Sequence, residues 1–104
     1  MKSLLEDVRK LFAGAVERPA FSVTDNFFQA GGDSLAAAEI LTRIDDEIGV
    51  ELAYKDFLEA PTPARLVLTI LLERARQAGG DVADEIAQLS EQDAAVLVAE
   101  LEQL

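Results

Sequence analysis

Three features of the sequence predict an all-α fold. Apolar residues recur at helical spacing in separate segments, proline and glycine mark the ends of those segments, and no stretch alternates convincingly at strand period. The expected architecture is a small bundle of three longer helices plus one short helix, with an additional C-terminal helical tail. At 104 residues, half of them apolar, the chain is near the size at which burial becomes marginal. Gly79-Gly80 divides it into residues 1–80, a helical domain, and 81–104, an acidic helical tail or linker.

The first helix opens on Ser3-Leu4-Leu5-Glu6, a capping-box pattern. Leu5, Val8, Leu11, Phe12, Ala15 and Val16 follow at helical spacing, and Arg18-Pro19 ends the helix. Residues 18–33 form a long loop whose Phe21, Val23, Phe27 and Phe28 predict that it is pinned to the core. Asp33 caps a second helix over about 34–48, with Ala37, Ile40, Leu41, Ile44 and Ile48 as its apolar stripe and Gly49 as its left-handed end. Val50 and Leu52 return the chain to the core, and Tyr54 to Glu59 make a short helical turn. Thr62 is then the N-cap, and Pro63 the first residue, of a helix from about 63 to 78 that buries Leu66, Val67, Ile70 and Leu71.

In the tail, Val82, Ile86 and Leu89 suit a shorter helix. Ser90-Glu91-Gln92-Asp93 resembles a capping box and opens a helix expected from about 91 to 102, striped by Ala94, Leu97, Val98, Leu101 and Leu104. A helix this short is marginal alone in water, so its stripe needs a surface. That surface is its own domain, another copy, or a basic or neutral partner enzyme. Contact between molecules, including self-association, is expected over a solvated tail.

Composition removes several classes of function. A formal net charge of −11 argues against nucleic acid, whose phosphates repel such a chain, and favours partners with basic docking surfaces. The excess acid lies in 25–60 and 81–104, while 1–24 and 61–80 are balanced or slightly basic. With no cysteine and no histidine there are no disulfides and no thiolate or imidazole metal ligands, and the acids lack a calcium-loop spacing, so no metal site is expected. Met1-Lys2-Ser3 leads into an amphipathic helix instead of a signal peptide, and no apolar run would span a membrane. A cytoplasmic protein is the expectation.

Gly31-Gly32-Asp33-Ser34-Leu35 is the segment that carries chemistry. The glycines permit a tight turn and keep side chains away from the approach to the serine. With Asp33 as cap, Ser34 is the first helical residue, where unpaired N–H groups and the positive dipole end suit a phosphate ester on its hydroxyl. Gly32-Asp33-Ser34-Leu35 also matches the nucleophile motif of a family of serine hydrolases. That chemistry needs a general base, almost always histidine, and this chain has none. Nor is Phe28-Gln29-Ala30-Gly31 the buried strand those enzymes place before the serine. A serine that merely starts a helix would not need the glycines, the aromatic pair and the helix to coincide around it.

With the preceding Asp25-Asn26-Phe27-Phe28-Gln29-Ala30, the block resembles the phosphopantetheine attachment site of carrier proteins. It is most similar to the peptidyl carrier (thiolation) domains of nonribosomal peptide synthetases. The resemblance covers residues 4–75 and includes Leu58-Glu59-Ala60-Pro61-Thr62, similar to the Phe-Glu-Ala-Pro-Thr that usually opens the last helix of peptidyl carriers. Leu58 takes the usual aromatic position with Phe57 before it, which reads as a local swap within the core. The tail resembles the Leu-Ser-x-x-Glu-rich linker often found after thiolation domains.

The resemblance implies a carrier without catalytic activity of its own. Ser34 would bear 4′-phosphopantetheine through a phosphodiester, with Gly32 and Asp33 shaping the site, and the arm's thiol would hold an aminoacyl or peptidyl group as a thioester. The implied partners are a phosphopantetheinyl transferase, an adenylation enzyme, and condensation, tailoring or thioesterase enzymes. Leu35 points with Glu39 and Thr42 away from the apolar stripe, and carrier families use that position as a hydrophobic anchor. Ala38, Glu39 and Thr42 complete the docking face expected around it.

Fatty-acid carriers usually show a single glycine, then Asp-Ser-Leu-Asp and a strongly acidic second helix. Here position 36 is alanine, and Arg43 sits amid Glu39, Asp45, Asp46 and Glu47. An acyl carrier for polyketide or fatty-acid synthesis, and a helical interaction module whose Ser34 is never modified, stay open as alternatives. Met1 so close to the first helix is what a freestanding carrier would show, as would an excised domain.

Overall fold

The computed structural model describes residues 3–103, and among them the chain forms six helices and no strand. These are α1 (Leu4–Ala15), α2 (Ser34–Ile48), α3 (Tyr54–Glu59), α4 (Pro63–Ala78), α5 (Val82–Ile86) and α6 (Glu91–Glu102). The second and fourth helices, the short α3 and the tail helix keep their expected bounds, while α1 ends at Ala15, short of the expected stop at Arg18-Pro19, with Val16 as its cap and Glu17 at φ +55°. The expected roles of Met1, Lys2 and Leu104 lie outside the described residues.

Local chemistry sets the helix ends. Asp33 accepts from the Ala36 N–H at 2.9 Å and Thr62 from the Arg65 N–H at 3.2 Å. Gly49 closes α2 at φ +81°, where a side chain would be strained. At the two expected capping boxes only the serine half forms. Ser3 Oγ accepts from the Glu6 N–H at 3.1 Å and Ser90 Oγ from the Asp93 N–H at 3.2 Å. Both acids are drawn elsewhere. The Glu6 carboxylate accepts from Arg9, which holds it below its ordinary pKa, and the Asp93 carboxylate accepts from the Ser3 hydroxyl.

Five phenylalanines join the elements. Phe12 of α1, Phe21 and Phe27 of the long loop, and Phe57 of α3 are buried, with half-buried Phe28 beside them. Ring centroids lie 5.4 Å apart for Phe12 and Phe27, 5.4 Å for Phe12 and Phe57, and 5.2 Å for Phe27 and Phe57. Edge-on and stacked geometries suit the ring quadrupoles and fix relative orientation as well as burial. The long loop is held by its backbone too. The Phe27 N–H donates to Pro61 O at 2.8 Å and the Ala64 N–H to Val23 O at 2.9 Å. Arg9 donates to Phe21 O at 3.1 Å.

Helix α4 is the wall against which α1, α3, α5 and α6 pack. Its buried residues are Pro63, Ala64, Leu66, Val67, Leu68, Ile70, Leu71 and Ala75, apolar nearly all round, as befits a helix covered on more than one side. The chain itself covers part of the tail stripe, with Leu97 enclosed and Ala94 and Leu101 half-buried, while Val98 stays exposed. Leu97 of α6 and Ile86 of α5 are buried in the same core cluster. Arg65 of α4 donates to Glu100 of α6 at 2.8 Å, and Ser3 at the start of α1 donates to Asp93. The acidic tail thus lies on the slightly basic 61–80 segment.

The Leu58 expectation is also corrected. Phe57 is the core residue, and Leu58 faces solvent, 51% exposed. No swap within the core takes place. Among the described residues no helix is long and apolar enough to cross a membrane.

Because Leu97 is enclosed, Leu97→Ala should cost about 2–5 kcal/mol of stability, measured by urea unfolding. Truncation after Gly80 should likewise lower the melting temperature. A truncated chain as stable as the full one would show that the tail is dispensable for the fold.

Candidate functional site

The route to Ser34 is built from the loop before it. Asn26 Oδ1 accepts from the N–H groups of Phe28 and Gln29, at 2.9 and 3.1 Å, and so folds residues 26–29 into a turn. Gly31 follows at φ +102°, and the Gly32 N–H donates back to Phe27 O at 2.9 Å. A Cβ on Gly32 would overlap the Phe27 ring. Gly32 is therefore needed for close packing of backbone on ring. Clearing the approach to the serine, the role expected of it, is not what this contact does.

Ser34 is the first residue of α2 and is exposed. The Asp33 side chain accepts from Ala36 N–H and its carbonyl from Ala37 N–H. The amides of Ser34 and Leu35, at the first two helical positions, have no intrahelical acceptor. No acidic residue stands in the first turn of α2, and the carboxylate at its positive end is that of the Asp33 cap. A hydroxyl here, exposed and beside free N–H groups, fits a phosphodiester on its oxygen.

The residues expected to dock partners lie together along α2. Leu35, Ala38, Glu39 and Thr42 are exposed, Leu35 by 70%. The Thr42 hydroxyl donates to Ala38 O at 3.1 Å and so belongs to the helix surface.

Two further residues enter the site that periodicity did not single out. The Tyr54 hydroxyl donates to Ser34 Oγ at 3.2 Å, joining the starts of α3 and α2. Tyr54 is 37% exposed, and Leu58 lies one turn further along α3. With Leu35 they supply three large apolar side chains exposed on α2 and α3. Tyr54 and Leu58 are an i, i+4 pair on α3, and it is the burial of Phe57 in the structure that shows the pair to face outward.

The two environments predict opposite responses to truncation. Leu35→Ala should change stability by less than about 1 kcal/mol, whereas Phe57→Ala should cost about 3–5 kcal/mol. Chemical unfolding of the two variants checks this, and a large loss for Leu35→Ala would place that side chain in the core.

The geometry agrees with what comparison with known proteins finds. The family model described as phosphopantetheine attachment site matches residues 6–70, more than half of the chain. CymA of Salinispora arenicola, described as a probable non-canonical nonribosomal peptide synthetase, is 38% identical over 93 residues. That match takes in 88% of this chain and 1% of CymA. A dimodular nonribosomal peptide synthase of Bacillus subtilis is 41% identical over 56 residues, 54% of this chain and 2% of that protein. The chain thus spans a very small part of these curated relatives. Among solved structures, BlmI of Streptomyces verticillus superposes with a TM-score of 0.56 at 27% identity, over 60% of this chain and 75% of that one. BlmI is described as a type-II acyl-carrier protein involved in bleomycin biosynthesis.

Proposed function

The chain belongs to the phosphopantetheine attachment site family, and on that premise we propose that it is a peptidyl carrier in which Ser34 is the residue that bears the cofactor. The family's cofactor is covalently attached 4′-phosphopantetheine. The observation that carries the assignment is the position of Ser34, exposed at the first turn of α2 with free amides beside it. The other serines have different tasks. Ser3 and Ser90 cap helices, and Ser22 shares a hydrogen bond with Thr24 inside the loop. Asp33 and Gly32 serve the site by capping α2 and by holding the loop against Phe27.

In this reading Ser34 Oγ forms a bond to the pantetheine-side phosphorus of coenzyme A. The bond from that phosphorus to the bridging oxygen breaks, adenosine 3′,5′-bisphosphate leaves, and the serine proton passes to a base of the phosphopantetheinyl transferase. The arm, when bound, supplies a thiol that holds an aminoacyl or peptidyl group. The protein supplies no catalytic group of its own. It contributes a fixed attachment point and a surface for weak, successive docking of adenylation, condensation, tailoring or thioesterase enzymes. Leu35, Ala38, Glu39 and Thr42 form that surface, joined by Tyr54 and Leu58. Residues 1–80 act as the carrier domain and 81–104 as its helical extension, in a cytoplasmic setting without nucleic acid.

Incubation with a promiscuous transferase and coenzyme A should add the mass of one phosphopantetheine to the wild type and nothing to Ser34→Ala. Gain of that mass by the Ser34→Ala variant would overturn the assignment. In the holo protein, Leu35→Ala should weaken a cognate partner by about 1–2 kcal/mol. The likeness to BlmI favours an acyl carrier as the second reading. Loading by amino-acid adenylation enzymes supports the peptidyl reading, and efficient malonyl loading without any aminoacylation supports the acyl one.

A further inference from the structure

The hydroxyl of Tyr54 has no part in the core. Its ring lies outside the phenylalanine cluster, and the start of α3 is held without it, since Asp56 accepts from the Ala53 N–H at 2.9 Å. Among the described residues it is nevertheless the side chain that donates to Ser34 Oγ. Asp33 is an acceptor already engaged with Ala36 N–H. Lys55, the cation next to Tyr54, is turned along α3 towards Glu59, 4.0 Å away.

A neutral hydroxyl pair between exposed side chains contributes little to stability. Modification changes the acceptor. Once Ser34 Oγ becomes an ester oxygen it is a poorer acceptor, and the negative charge resides on phosphate oxygens two bonds further out. A phenol that reaches Oγ is within a small rotation of those oxygens, and a hydrogen bond to an ionised acceptor is roughly twice as strong as a neutral one. Tyrosine also commits few rotamers to such a contact and presents an apolar ring beside the donor.

We infer that Tyr54 is a positioning residue for the cofactor: its hydroxyl transfers from Ser34 Oγ to the phosphodiester and turns the arm towards α3, over Tyr54 and Leu58. This rests on Ser34 being the attachment residue. The consequence is directional. The arm would leave the α2 terminus beside the apolar side chains proposed to meet partners, so that docking and delivery of the thiol use one surface.

The chain reports on this contact by itself, because Tyr54 is its one tyrosine and it has no tryptophan. Full-length protein is loaded from coenzyme A, with intact mass following the attachment. Tyrosine emission is recorded before and after loading, and the 31P spectrum of the holo protein is compared with those of holo Tyr54→Phe and Tyr54→Leu. The emission should change on loading. The phosphodiester resonance should move by more than a line width in both variants, with Tyr54→Phe keeping the wild-type melting temperature. If the mass is gained but emission is unchanged and the Tyr54→Phe resonance coincides with wild type, Tyr54 does not hold the phosphate, although Ser34 remains the attachment residue. A resonance that moves in Tyr54→Leu alone assigns the effect to the ring and overturns the role of the hydroxyl. Absence of the mass gain removes both readings.

Discussion

The ring of Phe27 occupies the space into which a side chain on Gly32 would project, and the position of Ser34 follows from that contact. Phe27 is fully enclosed by Phe12 of α1 and Phe57 of α3, so its ring is held from two other elements. The backbone of Gly32 lies against the ring and donates to Phe27 O. One residue later Asp33 begins α2. An exposed hydroxyl is thereby positioned by a buried aromatic cluster, without any loss of its access to solvent. This is the general way a surface site gains precision: the group that acts is exposed, and the groups that place it are packed.

Helix α4 performs the complementary task. Apolar residues on several of its faces let it receive α1 and α3 as well as α5 and α6. Covering those faces with the tail removes apolar surface from water in a chain small enough for such burial to matter. It also brings Glu100 to Arg65 and Asp93 to Ser3. The Arg65–Glu100 pair is largely shielded from solvent, unlike the Lys55–Glu59 pair on α3, and adds direction to the apolar contact. The proposed site lies on α2 and α3, helices that pack on each other and on α1 and α4.

What could be read from the sequence was what local chemistry encodes. Asp33, Gly49, Thr62 and Pro63 mark helix ends through interactions within four residues, and the structure keeps each of them. Ser34 was legible for the same reason, since its place follows from the cap before it. Long-range partners were not legible. The stripe on α6 shows that a cover is needed, yet its residues do not say that α4 provides it. The Ser3–Asp93 bond joins positions 90 apart in the chain and takes the carboxylate that a local capping box would have used. Tyr54 and Leu58 escaped because six residues make fewer than two turns, too few for a period to separate an inward Phe57 from an outward Leu58. The need for glycine at position 32 has a packing cause as well: the contact that excludes a side chain is the Phe27 ring on its core side.

The central claim is that Phe27 and Gly32 act as one unit in placing Ser34. A double-mutant cycle measures it most directly, with Gly32→Ala and Phe27→Leu made singly and together and unfolding free energies determined by urea. In the wild-type background the added methyl should cost about 1–3 kcal/mol, because it meets an enclosed ring. With leucine at position 27 the cost should fall by about 1 kcal/mol or more, since the smaller side chain leaves room for the methyl. Additive effects, with Gly32→Ala costing the same in both backgrounds, would contradict the account.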